Sequence, residues 1–279
     1  MPKAPTILLF DSGLGGLTVF QEVRSARPDA NFIYVADDAG FPYGNFDEDR
    51  LIERVIDIAG RAISDSSPDL VVVACNTAST LALGELRAHF RVPFVGTVPA
   101  IKPACSQSTT KRVAVLGTQA TVGREYTHAL IREFGSGCDV HLVGSTRLAA
   151  CAEAELAGAP VADAAIAGEI ARCFIDKDGR RTDTIVLACT HYPLLLERFR
   201  ANARWPVTWL DPAPAIARRV MDLMRTRPNG ELPASPRIVF TSGRTPSPTL
   251  AASLARYGFW PKTCGSISQN PRQIISSET

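Results

Sequence analysis

The sequence predicts an α/β fold of two similar doubly wound parallel-sheet domains, related by pseudo-twofold symmetry, with a candidate active site between them. Two stretches support this prediction. An apolar run beginning at Val71 ends at Cys75, and a second run beginning at Ile185 ends at Cys189. Such runs are typical of parallel strands buried on both faces. Because open α/β sheets bind ligands beyond the carboxyl ends of their strands, both thiols fall where a pocket forms.

The first half of the chain alternates strands and helices. A glycine-rich turn at 11–17 joins the first strand to the first helix and can point backbone N–H groups at an anion. Thr18 replaces the third glycine of the dinucleotide fingerprint, so a small carboxylate, a phosphate or a mere tight connection remain the alternatives. The predicted strands are 6–10, 31–35, the run from Val71 and 93–96; the predicted helices are 17–26, 47–64 and 77–90.

The pattern starts over after Pro99, which indicates a weak internal repeat with a pocket between the halves. Each half has a polar turn after its first strand and a later cysteine at a strand end. The predicted strands are 113–116, 139–143, the run from Ile185, 207–210 and 237–241. The predicted helices are one from the 117–121 turn to about 134, then 148–157, 161–174, one from about Pro193, one ending near 224, and 246–257.

Composition excludes several classes of protein. The chain has 279 residues, 46% of them hydrophobic, and a net charge of only +2 with scattered basic residues. It therefore lacks the electrostatic pattern of a nucleic-acid-binding or membrane-surface protein. Its amino terminus has no apolar segment long enough for export or membrane spanning. The seven cysteines include no CxxC pair, so we expect reduced thiols, no metal site and a cytoplasmic location.

Cys75 and Cys189 differ from the other cysteines, because polar residues and a helix follow each of them, and helix amino termini favour reactive thiolates. A Cys-His-Asn hydrolase could use Cys189 with His191, but it needs one nucleophile and leaves the duplicated thiol unexplained. Proton transfer at a stereocentre needs two groups, one on each face of the carbon. A non-catalytic amino-acid-binding protein is a further alternative. The remaining cysteines are interpreted as small buried hydrophobes: Cys105, Cys138, Cys151, Cys173 and Cys264.

Five motifs, at 11–19, 42–44, 74–78, 117–121 and 188–195, together resemble the glutamate racemases of the aspartate/glutamate racemase family. The resemblance implies a cofactor-independent enzyme that interconverts L- and D-glutamate and supplies D-glutamate for bacterial peptidoglycan. It implies a discontinuous first domain, 1–98 with 211–262, a second domain, 99–210, and a tail, 263–279, which we expect to be loosely ordered. His191 after Cys189 favours glutamate over aspartate. Dimerisation is common in the family, so a homodimer is also expected.

The resemblance also assigns roles. Cys75 and Cys189 are the acid/base pair, the first acting on D-glutamate and the second on L-glutamate. Asp11 assists Cys75, His191 assists Cys189, and Glu153 matches a family glutamate near the second thiol. The residues expected to bind substrate are Asp11, Ser12, Pro42, Tyr43, Gly44, Asn76, Thr77, Thr118, Thr121, Thr190 and His191. The chain departs from the family at Pro212, often serine, and at Arg244, commonly acidic.

Overall fold

The computed structural model describes residues 4–224, 232–260 and 264–265. The strands are β1 (Thr6–Asp11), β2 (Asn31–Ala36), β3 (Leu70–Val73), β4 (Phe94–Gly96), β5 (Arg112–Thr118), β6 (Asp139–Ser145), β7 (Asp176–Lys177), β8 (Arg180–Arg181), β9 (Thr184–Ala188), β10 (Thr208–Leu210), β11 (Arg237–Phe240) and β12 (Cys264–Gly265). The helices are α1 (Leu17–Ala26), α2 (Glu48–Ser66), α3 (Asn76–His89), α4 (Ile101–Gln107), α5 (Gln119–Gly123), α6 (Glu125–Phe134), α7 (Leu148–Leu156), α8 (Asp163–Ile170), α9 (Leu196–Ala201), α10 (Ala213–Leu223) and α11 (Pro248–Ala255).

The first sheet has the strand order β12-β11-β2-β1-β3-β4, and its neighbouring strands are parallel. Alternate side chains of β1 point to opposite faces. Ile7 and Leu9 pack in the core beneath α1, α10 and α11, whereas Leu8 and Phe10 pack in the core beneath α2 and α3. Helices therefore cover both faces of this sheet, which explains the unbroken apolar runs of its strands.

The second sheet has the order β10-β9-β5-β6, and its neighbouring strands are also parallel. Read as β6-β5-β9-β10, it repeats the order β2-β1-β3-β4 of the first sheet. One face packs against α7 and α8, and the other packs against α4 and α6. The prediction of two similar doubly wound parallel-sheet units is confirmed, and the cysteines follow equivalent strands, β3 and β9.

Several element predictions were wrong in detail. The segment after Pro99, for which no element was predicted, forms α4, which tolerates Pro103 because a proline in the first turn loses no helical hydrogen bond. The single helix predicted to about residue 134 is broken at Arg124, whose extended ψ of 139° separates α5 from α6. The Asp178-Gly179 turn, with positive φ at both residues, joins β7 and β8 in an unpredicted antiparallel hairpin.

The helix predicted over 161–174 was also too long. The α-helical part is α8, and a 3₁₀ turn at Ala171–Cys173 follows it. In the tail, 264–265 forms β12 beside β11; the rest of 263–279 lies outside the described residues. Over the described ranges, no helix is both long and apolar enough to cross a membrane.

Candidate active site

The two strand-end thiols line the same small cavity. Cys75 follows β3 and caps the amino terminus of α3 in an extended conformation, and Cys189 follows β9 just before the 3₁₀ turn at Tyr192–Leu195. Both thiol residues are about 95% buried. The cavity is lined by Ser12, Phe41, Pro42, Tyr43, Gly44, Cys75, Asn76, Thr77, Thr118, Ala149, Cys189, Thr190 and His191. Residues that follow strands of both sheets thus enclose one site.

The cavity has a volume of about 20 Å³, which is roughly the space that one water molecule needs. Its walls come from both halves of the chain.

Cys75 lies in a buried, negatively charged environment. Its Sγ donates to Ser12 Oγ over 3.6 Å, and burial, followed by the nearby Asp11 charge, raises the pKa of Cys75 well above its usual range. Asp11 ends β1 and is fully buried; its Oδ2 accepts from Gly16 N at 2.8 Å and from the Tyr34 hydroxyl at 3.3 Å. Its Oδ1 has no protein partner. Burial also raises the pKa of Asp11, against the opposing charge of His191.

Cys189 lies beside a buried ion pair. Its Sγ is 3.9 Å from His191 Nδ1, and His191 Nε2 is 2.9 Å from Glu153 Oε1. Burial acts to lower the pKa of His191, but the hydrogen bonds and charges of Cys189 and Glu153 outweigh it and hold that pKa well above its usual value. Burial acts to raise the pKa of Glu153, and His191 reverses that effect. Both pKa shifts favour the charged form of the pair, an imidazolium beside a carboxylate.

The glycine-rich turn after β1 binds carboxylates that belong to the protein itself. Leu14 N donates to Glu153 Oε1 at 2.6 Å, while Gly16 N donates to Asp11. A β-carbon at Gly13 would overlap Glu153 Oε1, and one at Gly15 would overlap the His191 ring. The glycines of the turn let the second half approach closely. Binding of a carboxylate or phosphate from outside the chain stays a prediction.

Threonine hydroxyls join the two halves on another side of the cavity. Thr77 Oγ1, at the start of α3, is 3.2 Å from Thr118 Oγ1 and 3.3 Å from Thr121 Oγ1, which both belong to the second half. Thr118 also caps α5 by accepting from Thr121 N at 3.0 Å. The buried Asn76 amide has no protein partner for its oxygen or nitrogen. Unpartnered buried amides cost free energy, so this side chain suits a polar ligand.

The loop that carries Tyr43 is held by a buried carboxylate that the sequence analysis did not single out as functional. Asp37 accepts hydrogen bonds from the Tyr43 hydroxyl, from both Nε and Nη2 of Arg54, and from Thr241 Oγ1, each at 2.6 Å. Arg54 comes from α2 and Thr241 follows β11, so residues distant in sequence position this loop. The Phe41 ring lies 5.3 Å, centroid to centroid, from the His191 ring.

Most of the predicted site residues line the cavity, but Asp11, Glu153 and Thr121 stand behind it and contact lining residues instead. Phe41 and Ala149 line it without having been predicted; Ala149 follows no chemical pattern in the sequence. The two departures from the family lie outside the cavity. Pro212 caps α10, and Arg244 pairs with Asp38 at 2.9 Å. Among the residues that the structure describes, no group of three His, Cys, Asp or Glu side chains could hold a metal.

Known proteins resemble this chain over nearly its whole length. The family model for Asp/Glu/hydantoin racemases matches residues 18–220. A glutamate racemase of Brucella canis is 50% identical over 92% of this chain and 93% of its own. The crystal structure of the Escherichia coli glutamate racemase, in complex with L-glutamate and the activator UDP-MurNAc-Ala, has 37% identity and a TM-score of 0.86, covering 95% of this chain and 99% of that one.

A glutamate racemase of Thermus thermophilus, in complex with β-chloro-D-alanine, has 27% identity and a TM-score of 0.73, and covers 95% of this chain and 98% of its own. The match to the family model spans more than half of the sequence, and the identity to the Brucella canis protein extends over most of both chains. This chain belongs to the Asp/Glu/hydantoin racemase family.

Proposed function

We propose that this protein is an isomerase that interconverts L- and D-glutamate by proton transfer at Cα between two thiols. The single observation that carries the proposal is the pair of strand-end cysteines, Cys75 and Cys189, which come from duplicated halves and line one cavity. The family supports racemisation, and the glutamate racemases that this chain resembles over most of its length support glutamate as the substrate.

The chemistry needs one base and one acid on opposite faces of Cα. In one direction the thiolate of Cys75 removes the proton of D-glutamate, and the Cys189 thiol delivers a proton to the other face. In the opposite direction the two thiols exchange these roles. Cys189 and Glu153 both raise the pKa of His191, and its Nδ1 lies 3.9 Å from Cys189 Sγ. The protonated ring stabilises that sulfur when it is a thiolate. No organic cofactor or metal takes part in the proposed reaction.

Polar groups around the thiols are suited to the substrate's charged groups. Ser12, Asn76, Thr77, Thr118 and Thr190 present hydroxyl and amide groups to the cavity. We propose that they bind the carboxylates and ammonium of glutamate, together with Pro42, Tyr43 and Gly44 of the neighbouring loop. The unpartnered amide of Asn76 then gains partners when substrate is bound. Because the closed cavity has room for only about one water, glutamate enters after the halves separate.

The test is racemisation of glutamate by the purified protein after exhaustive chelation, with aspartate as the comparison substrate. Cys75→Ser and Cys189→Ser should each lose activity by at least about a thousandfold, because a serine hydroxyl is a far weaker acid and base than a thiol. Each mutant should still eliminate the leaving group from a β-substituted glutamate analogue. It should do so with only one enantiomer, the one whose Cα hydrogen faces the thiol that remains.

Other outcomes identify the alternatives. A thiol hydrolase needs only Cys189 and would tolerate loss of Cys75, whereas a binding protein would hold glutamate without turnover. Racemisation of aspartate faster than glutamate would contradict the proposed substrate.

The proposal extends to the setting of the enzyme. We propose that it works in the cytoplasm and supplies D-glutamate for peptidoglycan, as the family resemblance implies, and that it forms a homodimer. Depletion of the protein in its host should create a requirement for external D-glutamate, and light scattering of the purified protein should give the mass of two chains. Growth without external D-glutamate after complete depletion would contradict the role in D-glutamate supply. A mass of one chain would contradict the homodimer.

A further inference from the structure

We propose that Cys105 and Cys138 form a redox modification site, at which a hydroperoxide converts the two thiols into a disulfide within the second half of the chain. The site lies outside the proposed reaction, because neither thiol takes part in proton transfer at Cα. Two features of the structure support it: the thiols are in direct contact, and one of them is partly open to solvent.

The two thiols meet although 33 positions separate them in the sequence. Cys105 lies on α4, and Cys138 lies directly before β6. Cys138 Sγ donates to Cys105 O at 3.5 Å, the two thiol groups share a further hydrogen bond, and Cys138 packs against the apolar cluster that contains Cys105. A disulfide brings its sulfurs to about 2.05 Å, and thiols within hydrogen-bonding distance reach that separation by rotation of their side chains.

Backbone contacts hold both cysteine segments in place. Cys138 N donates to Gly135 O at 2.9 Å, and Asp139 N donates to Lys111 O at 2.7 Å. Lys111 Nζ in turn donates to Cys105 O at 3.0 Å. Lys111 therefore connects the end of α4 to the start of β6, and the two cysteines stay opposite each other without a covalent link.

The surroundings of the two thiols divide the work between them. Cys105 is only 6% exposed, whereas Cys138 is partly exposed, so a dissolved peroxide meets Cys138 first. Burial raises the pKa of Cys105 to about 12; the hydrogen bond and charge of Cys138 add to this effect, and Lys111 opposes it. Once Cys138 is an uncharged sulfenic acid, its charge no longer holds the proton on Cys105, which then ionises more readily.

The chemistry follows two steps. The Cys138 thiolate attacks one oxygen of hydrogen peroxide; an S–O bond forms, the O–O bond breaks, and the departing hydroxide is protonated to water. The Cys105 thiolate then attacks Cys138 Sγ, so that the S–S bond forms, the S–O bond breaks and a second water leaves. Together the thiols lose two electrons and two protons, and one peroxide becomes two waters. In a reducing compartment other thiols reverse this bond, so it is transient.

The site lies at the opposite edge of the second sheet from the cavity. Cys138 precedes the first residue of β6, and Lys111 precedes the first residue of β5, whereas Thr118 ends β5 and lines the cavity. Oxidation of this pair therefore leaves the cavity thiols, Cys75 and Cys189, unchanged. The new bond fixes α4 against the start of β6.

The test treats the purified full chain with hydrogen peroxide, blocks the remaining thiols with N-ethylmaleimide, and maps the unreduced peptides by mass spectrometry. The expected product is a peptide pair linked through Cys105 and Cys138, lighter by two hydrogen atoms than the separate peptides and released by dithiothreitol. It should form at least about tenfold faster than oxidation of Cys75 or Cys189, because both of those thiols are buried.

Two variants serve as controls. Cys138→Ser removes the thiol that meets peroxide, so Cys105 should remain reduced at the same dose. Cys151→Ser removes another partly buried thiol of the second half, on α7, and should leave the yield of the linked peptides within twofold of wild type.

Oxidation of Cys138 to a sulfinic acid while Cys105 stays a free thiol would overturn the proposal. A link between Cys75 and Cys189 that forms before the Cys105–Cys138 link would also overturn it. The measurement does not use racemisation, so a protein that fails to racemise glutamate would contradict the proposed function alone.

Discussion

At the residue scale, the two thiols have opposite electrostatic surroundings. Cys75 lies near the buried carboxylate of Asp11, whereas Cys189 lies beside the ring of His191, whose pKa is held above its usual value. A thiolate at Cys75 is therefore costly in this buried environment. The ammonium group of a bound amino acid brings a positive charge into the cavity and favours the thiolate, so substrate itself completes the base.

Asp11→Asn should make Cys75 more reactive at a given pH. The Asp11 charge and burial both raise the pKa of Cys75, so removing the charge lowers that pKa and leaves a larger thiolate fraction. Alkylation of Cys75, followed by peptide mapping from pH 6 to 10, should show a profile displaced to lower pH. The control Asp57→Asn, on the exposed face of α2, should match wild type. A displacement of the Asp11→Asn profile to higher pH would contradict this interpretation.

At the element scale, the loop that carries Tyr43 depends on α2 and on the segment after β11. Asp37 is fully buried, and the Arg54 guanidinium neutralises it through two hydrogen bonds. Removal of Arg54 leaves a buried charge with only the Tyr43 and Thr241 hydroxyls as partners. Buried carboxylates that lose their counter-ion are strongly destabilising.

Arg54→Ala should lower the free energy of unfolding by about 2 to 4 kcal/mol. Arg61→Ala, on the same helix, breaks an exposed i,i+4 pair with Asp57 and should cost less than about 0.5 kcal/mol. Urea unfolding followed by circular dichroism measures both variants. Equal losses for the two substitutions would show that Asp37 does not depend on its guanidinium partner.

The strands around the site were predictable because each is a continuous apolar run, and the strand-end cysteines mark equivalent positions in the two halves. The break at Arg124 was not predictable, because apolar periodicity continues across it. Asp37 and Arg54 lie 17 positions apart with no recognisable spacing, and only the fold brings them together. Glu153 came from family resemblance alone; its contact with Leu14 depends on how the halves pack, which local sequence does not encode.

At the scale of the whole molecule, the sheets support a division into two domains. Strands of the first sheet come from both ends of the described chain, β1 to β4 and then β11 and β12, while those of the second lie between them. We propose that the first domain consists of 1–98 and 211–262, and that the second consists of 99–210. The remaining 263–279 form a tail, of which 264–265 extend the first sheet. The chain crosses between them twice, which suits a hinge that opens the cavity.

The central claim is that two thiols act on opposite faces of Cα, and solvent deuterium tests it most directly. Wild-type protein is given L-glutamate in heavy water, and the reaction is stopped after a few per cent conversion. The two enantiomers are then separated, and the deuterium content of each is measured by mass spectrometry. The account predicts deuterium at Cα of nearly all D-glutamate, because the opposite, solvent-exchanged thiol delivers the proton, with the remaining L-glutamate still protiated. The experiment is repeated from D-glutamate. Early product that retains the original hydrogen, or substrate that exchanges as fast as product forms, would contradict the two-thiol mechanism.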